Sequence, residues 1–480
     1  MINLSIVSMW ILVFMIVFSS LNILPLIILP SIASAGIGII AFINAIKSKN
    51  VKTIFISSRK YFLSFIIINI IYAALIGVNI LDPHLYRHEF KYMISFFVFV
   101  ALSMAVYPKK TEDVLFYAMI GISIFSFSWF LFSLIDGSFY SLLLYPYLGV
   151  IWEHIGVETI YLGPFENHNS AGGFYAILSL ILLGILSKVK DSSRTWMVLM
   201  SLVFVQICFF FTDSRAYFLA LAILSIVILG TILYGKIIKK KENSGVGTYP
   251  KAYVVGTVLL FLFSSLGGMR THMYLVPAFL KHQQSINKFN NVNGLRRHNI
   301  TTRFFLWKKA WKDFYQSPII GVGASRFDSD KEVINSEPRV TLQEVNPELL
   351  DLSNVKIDYI QGFLYRINVS KANIHLEQET HNAYLQVLAE GGIVMFLIFF
   401  AMYYSLLRDL AITTTIRGEG FSDLFSGLAV GARSSLICLC ISSVFGSHLL
   451  GVIPLVAVLS LSAYLISFAR QYSPEAFPQN

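Results

Sequence analysis

The densest chemistry in this chain is Thr380-His381-Asn382-Ala383-Tyr384-Leu385-Gln386-Val387-Leu388-Ala389-Glu390-Gly391-Gly392. There a histidine follows a long polar stretch and opens an apolar run. A group titrating near neutral pH at a membrane–water boundary suits proton transfer on a lipid-borne substrate. Asn382 is placed to cap a helix beginning near Ala383, leaving backbone N–H groups facing the medium, and such an end attracts phosphate. His381 beside it can take a proton from a hydroxyl nucleophile. The plainer role is an interfacial hydrogen-bonding residue.

Three further groups share the expected side of the membrane. Thr212-Asp213-Ser214-Arg215 is a tight turn between two apolar runs. The planar donor fork of Arg215 there fits a diphosphate. An ion pair with Asp213, or snorkelling, would also account for it. Gly163-Pro164-Phe165-Glu166-Asn167-His168-Asn169-Ser170 precedes another run. Asn167, His168 and Asn169 offer contacts for sugar hydroxyls, with helix capping by Asn169 or Ser170 as the alternative. Arg303 is the second arginine expected on a diphosphate, with Arg296, Arg297 and Arg270 competing. Arg433 falls inside an apolar run, where a charge is costly and is expected to point inward, toward Glu390 or a lipid. Asp328 and Asp330 form a lone carboxylate pair that reads better as surface loop than as a metal site. No other metal spacing, phosphate loop or serine triad is present, so neither metal nor cofactor is expected.

These residues need a membrane scaffold. The chain is 56% hydrophobic and only 13% charged, about half the charge of a soluble domain. Twelve apolar runs are long enough to cross a bilayer as helices: 4–21, 26–46, 61–80, 92–107, 114–135, 172–188, 196–212, 216–235, 252–268, 390–407, 424–446 and 451–469. With both termini cytoplasmic, the segments between them place 18 Lys and Arg inside, against three in the short external loops. That bias obeys the positive-inside rule, so the net charge of +10 reports topology and not nucleic-acid binding. Met1-Ile2-Asn3 lacks the basic start of a cleavable signal. Cys208, Cys438 and Cys440 fall in apolar runs and read as packing residues.

The expectation is a single integral membrane domain over 1–480, with 269–383 as a large external loop between the ninth and tenth spans. That loop has nine basic residues and no acid from 269 to 312, suited to an anion or to anionic headgroups. Within it, Arg303 to Phe314 has helical spacing. Phe304, Trp307, Trp311 and Phe314 would make one aromatic face beside Lys308, Lys309 and Lys312, as in a helix lying at a membrane surface. Pro318, Gly321 and Gly323 would end it. No internal repeat is evident, which weighs against a transporter or flippase.

Taken together, His381-Asn382-Ala383-Tyr384-Leu385 with Glu390-Gly391-Gly392, the Ser214-Arg215 turn, Asn167-His168-Asn169, and Arg303 with Trp307, Ala310, Pro318, Gly321 and Gly323 resemble the O-antigen ligase/polymerase superfamily. The resemblance covers roughly 160–410. It implies an all-α, GT-C-like membrane glycosyltransferase of the bacterial inner membrane, with its active site periplasmic and no metal. Its donor would be an undecaprenyl diphosphate-linked glycan. Its acceptor would be a lipid A–core sugar for a ligase, or a second lipid-linked glycan for a polymerase. A protein O-glycosyltransferase would usually carry a larger C-terminal extension. One dominant external loop favours the ligase reading. In this group the residue matching His381 is the base, arginines matching Arg215 and one in the large loop hold the diphosphate, and Asn382 and Tyr384 join the acceptor candidates.

Overall fold

A computed structural model describes residues 4–18, 32–34, 36, 38, 40, 61, 67, 97–135, 152–155, 158–161, 168–212, 214–242, 250–285, 299–323, 382–416, 421–446 and 453–477. At 4, 17, 18, 132–135, 152–155, 158–161, 168, 236–242, 270–285, 299–305, 453, 454 and 474 it describes the backbone alone.

The helices among these residues are α1 (Leu4–Phe18), α2 (Thr111–Ile135), α3 (His168–Leu186), α4 (Ser192–Phe210), α5 (Arg215–Glu242), α6 (Lys251–Ser285), α7 (Asn299–Gln316), α8 (Ala383–Thr415), α9 (Asp423–Ser442) and α10 (Ile453–Tyr472). Eight of them are long and apolar enough to cross a membrane: α2 to α6 and α8 to α10. They coincide with the fifth to twelfth spans read from the sequence. Of the first four, 4–21 appears as α1, which is shorter than the eight, 92–107 is described from residue 97 onward, and 26–46 and 61–80 lie largely outside the described residues. The chain is a polytopic helical membrane protein, as a hydrocarbon environment requires of a backbone that must satisfy its own polar groups.

The spans are all helical, and one short hairpin accompanies them. Trp152–Ile155 (β1) and Glu158–Tyr161 (β2) pair antiparallel, with Trp152 opposite Tyr161 and Ile155 opposite Glu158. Thr159, Ile160, Tyr161 and Trp152 favour strands.

The chain divides into two compact units. One comprises Met1–Ile71, Arg87–Met273 and Leu397–Asn480; the other comprises Tyr72–Tyr86 and Tyr274–Phe396. In the first, α3 is the central helix, buried along nearly its whole length and packed on α4 and α9. Its contact with α9 is backbone against backbone. A Cβ on Gly184 would lie 2.3 Å from the Gly431 nitrogen, and one on Gly431 would lie 2.5 Å from the Ile181 Cα. Gly427, Gly431 and Ser435 recur every fourth residue, the small-residue spacing that lets membrane helices approach closely. The Ser435 hydroxyl donates to the Ile177 carbonyl at 3.3 Å.

This seam explains why one expectation fails. Arg433 is exposed and does not point inward, because the inward face of α9 has no room between its small residues and the α3 backbone. Gly431→Leu should therefore destabilise the unit by about 3 kcal/mol or more, since overpacking here displaces backbone. The check is the yield of monodisperse protein after detergent extraction. A well-behaved Gly431→Leu protein would contradict the seam.

Candidate active site

Two groups of helix starts carry the residues singled out from the sequence, one group in each unit.

In the first unit, α3 and α5 begin side by side. The Ser214 carbonyl accepts the opening α5 bonds from the Tyr217 and Phe218 amides at 3.1 and 3.0 Å. Its hydroxyl donates to the Asn169 side-chain oxygen at 3.2 Å, joining the two helix starts. Asn169 thus ties helices together and does not serve as the cap. A Cβ on Gly172 would fall 2.2 Å from the Ser214 Cβ, so only glycine permits the approach. Arg215 is the first residue of α5 and is exposed, and no acid sits in the first turn of α5 or α3. An arginine at a helix N-terminus adds to the positive end of the macrodipole, and the sum favours an anion.

In the second unit, α7 and α8 run in the same direction. Asn382 caps α8, its side-chain oxygen accepting from the Tyr384 and Leu385 amides at 3.1 and 3.0 Å. Leu306 and Ala310 pack on Ala389 and Leu385. Just past the end of α7, the Pro318 carbonyl accepts from the Ile393 amide at 2.9 Å. The pair is therefore parallel, and the α7 turn bearing Arg303 lies at the same end as Asn382. Helices α2 and α9 begin with acids (Glu112 and Asp113; Asp423), whereas α3, α5, α7 and α8 have none in their first turns.

A backbone clasp holds the pair. α8 breaks at Gly392, where φ is 64°. An unbroken helix would bond the Ile393 amide to the Ala389 carbonyl and the Val394 amide to the Glu390 carbonyl. Instead, Ile393 and Val394 donate to Pro318 and Ile319 at 2.9 and 3.3 Å, while Ala389 and Glu390 accept from Val322 and Gly323 at 2.9 and 3.0 Å. Four groups that the break would orphan are all satisfied by the 318–323 turn. Gly321, at φ 69°, fits because a Cβ there would lie 2.3 Å from the Glu390 carbonyl.

The structure modifies several expectations. α7 starts at Asn299, four residues before Arg303. Trp311 and Phe314 share a side of the helix, with ring centroids 5.8 Å apart, but the side is unevenly covered. Leu306, Ala310 and Asp313 are buried, Trp307 and Phe314 are half-buried, and Trp311 and Tyr315 are exposed. Lys309 does not join an open basic face; it pairs at 3.3 Å with Asp313, one turn on, where both side chains are buried. Glu390 is buried and accepts from the Gln386 side-chain nitrogen at 3.4 Å. Arg433 and Glu390 lie in different units. Tyr384 is half-buried. Cys208 and Cys438 are buried free thiols. Among the described residues no cluster of His, Cys, Asp or Glu has the arrangement of a metal site.

His381, Asn167, Arg296, Arg297, Asp328 and Asp330 lie outside the described residues, and His168, Arg270 and Arg303 are described by backbone alone. Sequence reasoning used the Gly391–Gly392 pair only as part of a motif and missed what it does. The available signal was a glycine pair inside an apolar run, matched by a Pro-x-x-Gly-x-Gly turn upstream.

Residues 196–400 match the family model described as O-antigen ligase. This stretch is similar to the O-antigen ligase family. No curated protein matches the chain. The matched stretch runs from within α4 to within α8. It contains Arg215, Arg303, His381, Asn382, Tyr384 and the whole clasp. Asn169 lies before it and joins it through Ser214. The match supports a function of the ligase/polymerase type for this multi-pass membrane protein.

Proposed function

We propose that the protein is an O-antigen ligase-type inverting glycosyltransferase of the bacterial inner membrane, moving a glycan from undecaprenyl diphosphate to a lipid A–core sugar hydroxyl at the periplasmic face. The observation carrying this reading is the parallel α7–α8 pair, which brings the Arg303 turn to the same end as the Asn382-capped start of α8, directly after His381.

Arg215 and Arg303 hold the diphosphate and meet the charge it gains on leaving, with Arg296 and Arg297 as the alternatives to Arg303. His381 accepts the proton of the acceptor hydroxyl. That oxygen attacks the anomeric carbon opposite the diphosphate, so one C–O bond forms as the glycosyl–phosphate C–O bond breaks and the configuration inverts. Asn167, His168, Asn169 and Tyr384 lie near enough to these helix starts in sequence to orient glycan or acceptor. The charge of the leaving group is met by arginines and helix starts, and the reaction proceeds without a metal.

The test is a transfer assay with purified protein, undecaprenyl diphosphate-linked glycan and lipid A–core. Loss of a general base costs about 10²- to 10⁴-fold, and His381→Ala should fall in that range while remaining folded and inserted. Undiminished transfer by a well-expressed His381→Ala protein would remove the base assignment. A deletion strain separates the acceptors. Long glycan accumulating on undecaprenyl diphosphate supports the ligase, whereas lipid A–core carrying a single repeat unit means a polymerase.

A further inference from the structure

The exposed face of α7 has a gradient along its length. Lys308, Trp311, Lys312 and Tyr315 fall at i, i+3, i+4 and i+7 and are all exposed, Trp311 by 43% and Tyr315 by 75%. The Trp311 and Tyr315 rings lie 6.0 Å apart. The face continues into the turn with Ile319 and Ile320, exposed by 63% and 56%. Read toward the turn, it passes from ammonium groups through indole and phenol to bare aliphatic side chains. The same order is found crossing from lipid headgroups into hydrocarbon.

The clasp fixes the level of the tip. Ile319 accepts from the Val394 amide. At Ile393 and Val394 the exposed face of α8 becomes apolar, and it continues so through Leu397 and Phe400. The residues before it, Asn382 to Gly392, are buried or half-buried. The isoleucine tip therefore sits at the height where α8 starts to present an apolar surface.

We propose that the 317–323 turn is a wedge set tip-first into the leaflet that α8 enters, with Ile319 and Ile320 in acyl chains, Trp311 and Tyr315 at the interface, and Lys308 and Lys312 on anionic headgroup phosphates. The occupant of this face is lipid. The mode of contact differs from a helix lying flat on its aromatic side, because Trp307 and Phe314 are half-buried while Trp311 and Tyr315 are exposed. The wedge would hold the Arg303 and Asn382 helix starts at a set height above the bilayer. It does not depend on which glycan is moved.

The experiment uses the full chain in nanodiscs with a Cys440→Ala background, since Cys208 and Cys438 are buried. Ile320→Cys and Lys308→Cys are labelled with an environment-sensitive fluorophore and quenched by nitroxide lipids or by iodide. Nitroxide lipid should quench the label at 320 about twofold or more over that at 308, with iodide showing the reverse order. Adding Lys308→Gln and Lys312→Gln to the Ile320→Cys protein should lower lipid quenching in discs containing phosphatidylglycerol and leave it unchanged in phosphatidylcholine alone. Iodide quenching at 320 without lipid quenching would mean a water-facing turn and overturn the proposal. Quenching by neither would mean a protein-covered turn and overturn it equally. An identical lysine effect in both lipids would overturn the headgroup assignment.

Discussion

Gly392→Val should abolish glycan transfer while leaving the chain inserted in the membrane. A Cβ at this position would lie 2.4 Å from the Ile319 carbonyl carbon and oxygen and 2.6 Å from the Gly321 nitrogen. All three are backbone atoms that cannot rotate away. Positive φ adds about 1–2 kcal/mol for a residue with a side chain, and more for a β-branched one. The cheapest escape is local. If α8 straightens, Ile393 and Val394 bond again to Ala389 and Glu390, and the 318–323 turn is expelled. That orphans the Val322 and Gly323 amides and the Pro318 and Ile319 carbonyls, at about 1–3 kcal/mol for each group that water does not reach. Helix α7 then loses its register against Leu385 and Ala389, and the Arg303 turn loses its place beside Asn382. A misplacement of about 1 Å is worth about 10²-fold in rate, and loss of the clasp exceeds that. The checks are the transfer assay together with limited proteolysis, which should cut faster between Phe314 and Gly323. Gly230→Ala, with nothing within 4 Å of its added carbon, is the silent control. Transfer at the native rate by Gly392→Val would mean that the clasp does not position the site.

The same glycines mark the boundary of what the sequence could disclose. Spans five to twelve were legible because apolar length alone specifies a membrane helix. The helix start at Asn382 was legible because capping is local chemistry between a side chain and amides two and three residues on. The contact side of α7 was not legible, because spacing shows which residues share a side and not which side finds a partner. Ala310, a minor element of the pattern, proves to be the contact with α8, and Trp311 beside it faces out. Arg433 was misread for a similar reason. Gly427, Gly431 and Ser435 claim the inner face of α9, and only the distance to the α3 backbone reveals that claim. The Ser214–Asn169 hydrogen bond joins residues 45 positions apart, a pairing that no local pattern encodes.

Asp409→Ala should be the most destabilising single change among the described ion pairs. Asp409 and Arg470 each fall just beyond the apolar runs read from the sequence, so neither stood out as a buried charge. In the structure Asp409 is 2% exposed. One of its carboxylate oxygens accepts from the Tyr61 hydroxyl and from Arg470 Nη2, both at 2.7 Å. Arg470 also lies over the Tyr61 and Phe477 rings, at 5.8 and 5.2 Å from their centroids. Its Nε and Nη1 are buried without partners, so the carboxylate is its main compensation. Removing the acid leaves a guanidinium buried and unpaired, at about 3–5 kcal/mol. Asp409→Asn keeps an acceptor but not the charge and should fall between Asp409→Ala and the native protein. Tyr61→Phe removes one hydrogen bond and should cost about 1 kcal/mol. The double change Asp409→Leu with Arg470→Met should recover most of the loss, because a buried pair replaced by apolar groups of similar size is often neutral or better. Thermal unfolding in detergent measures all four. The cluster lies 27 positions beyond Asn382 along α8, so transfer per folded molecule should be unchanged in Asp409→Asn. A fall in that rate without a fall in stability would move the cluster from holding the helix ends together into the reaction itself.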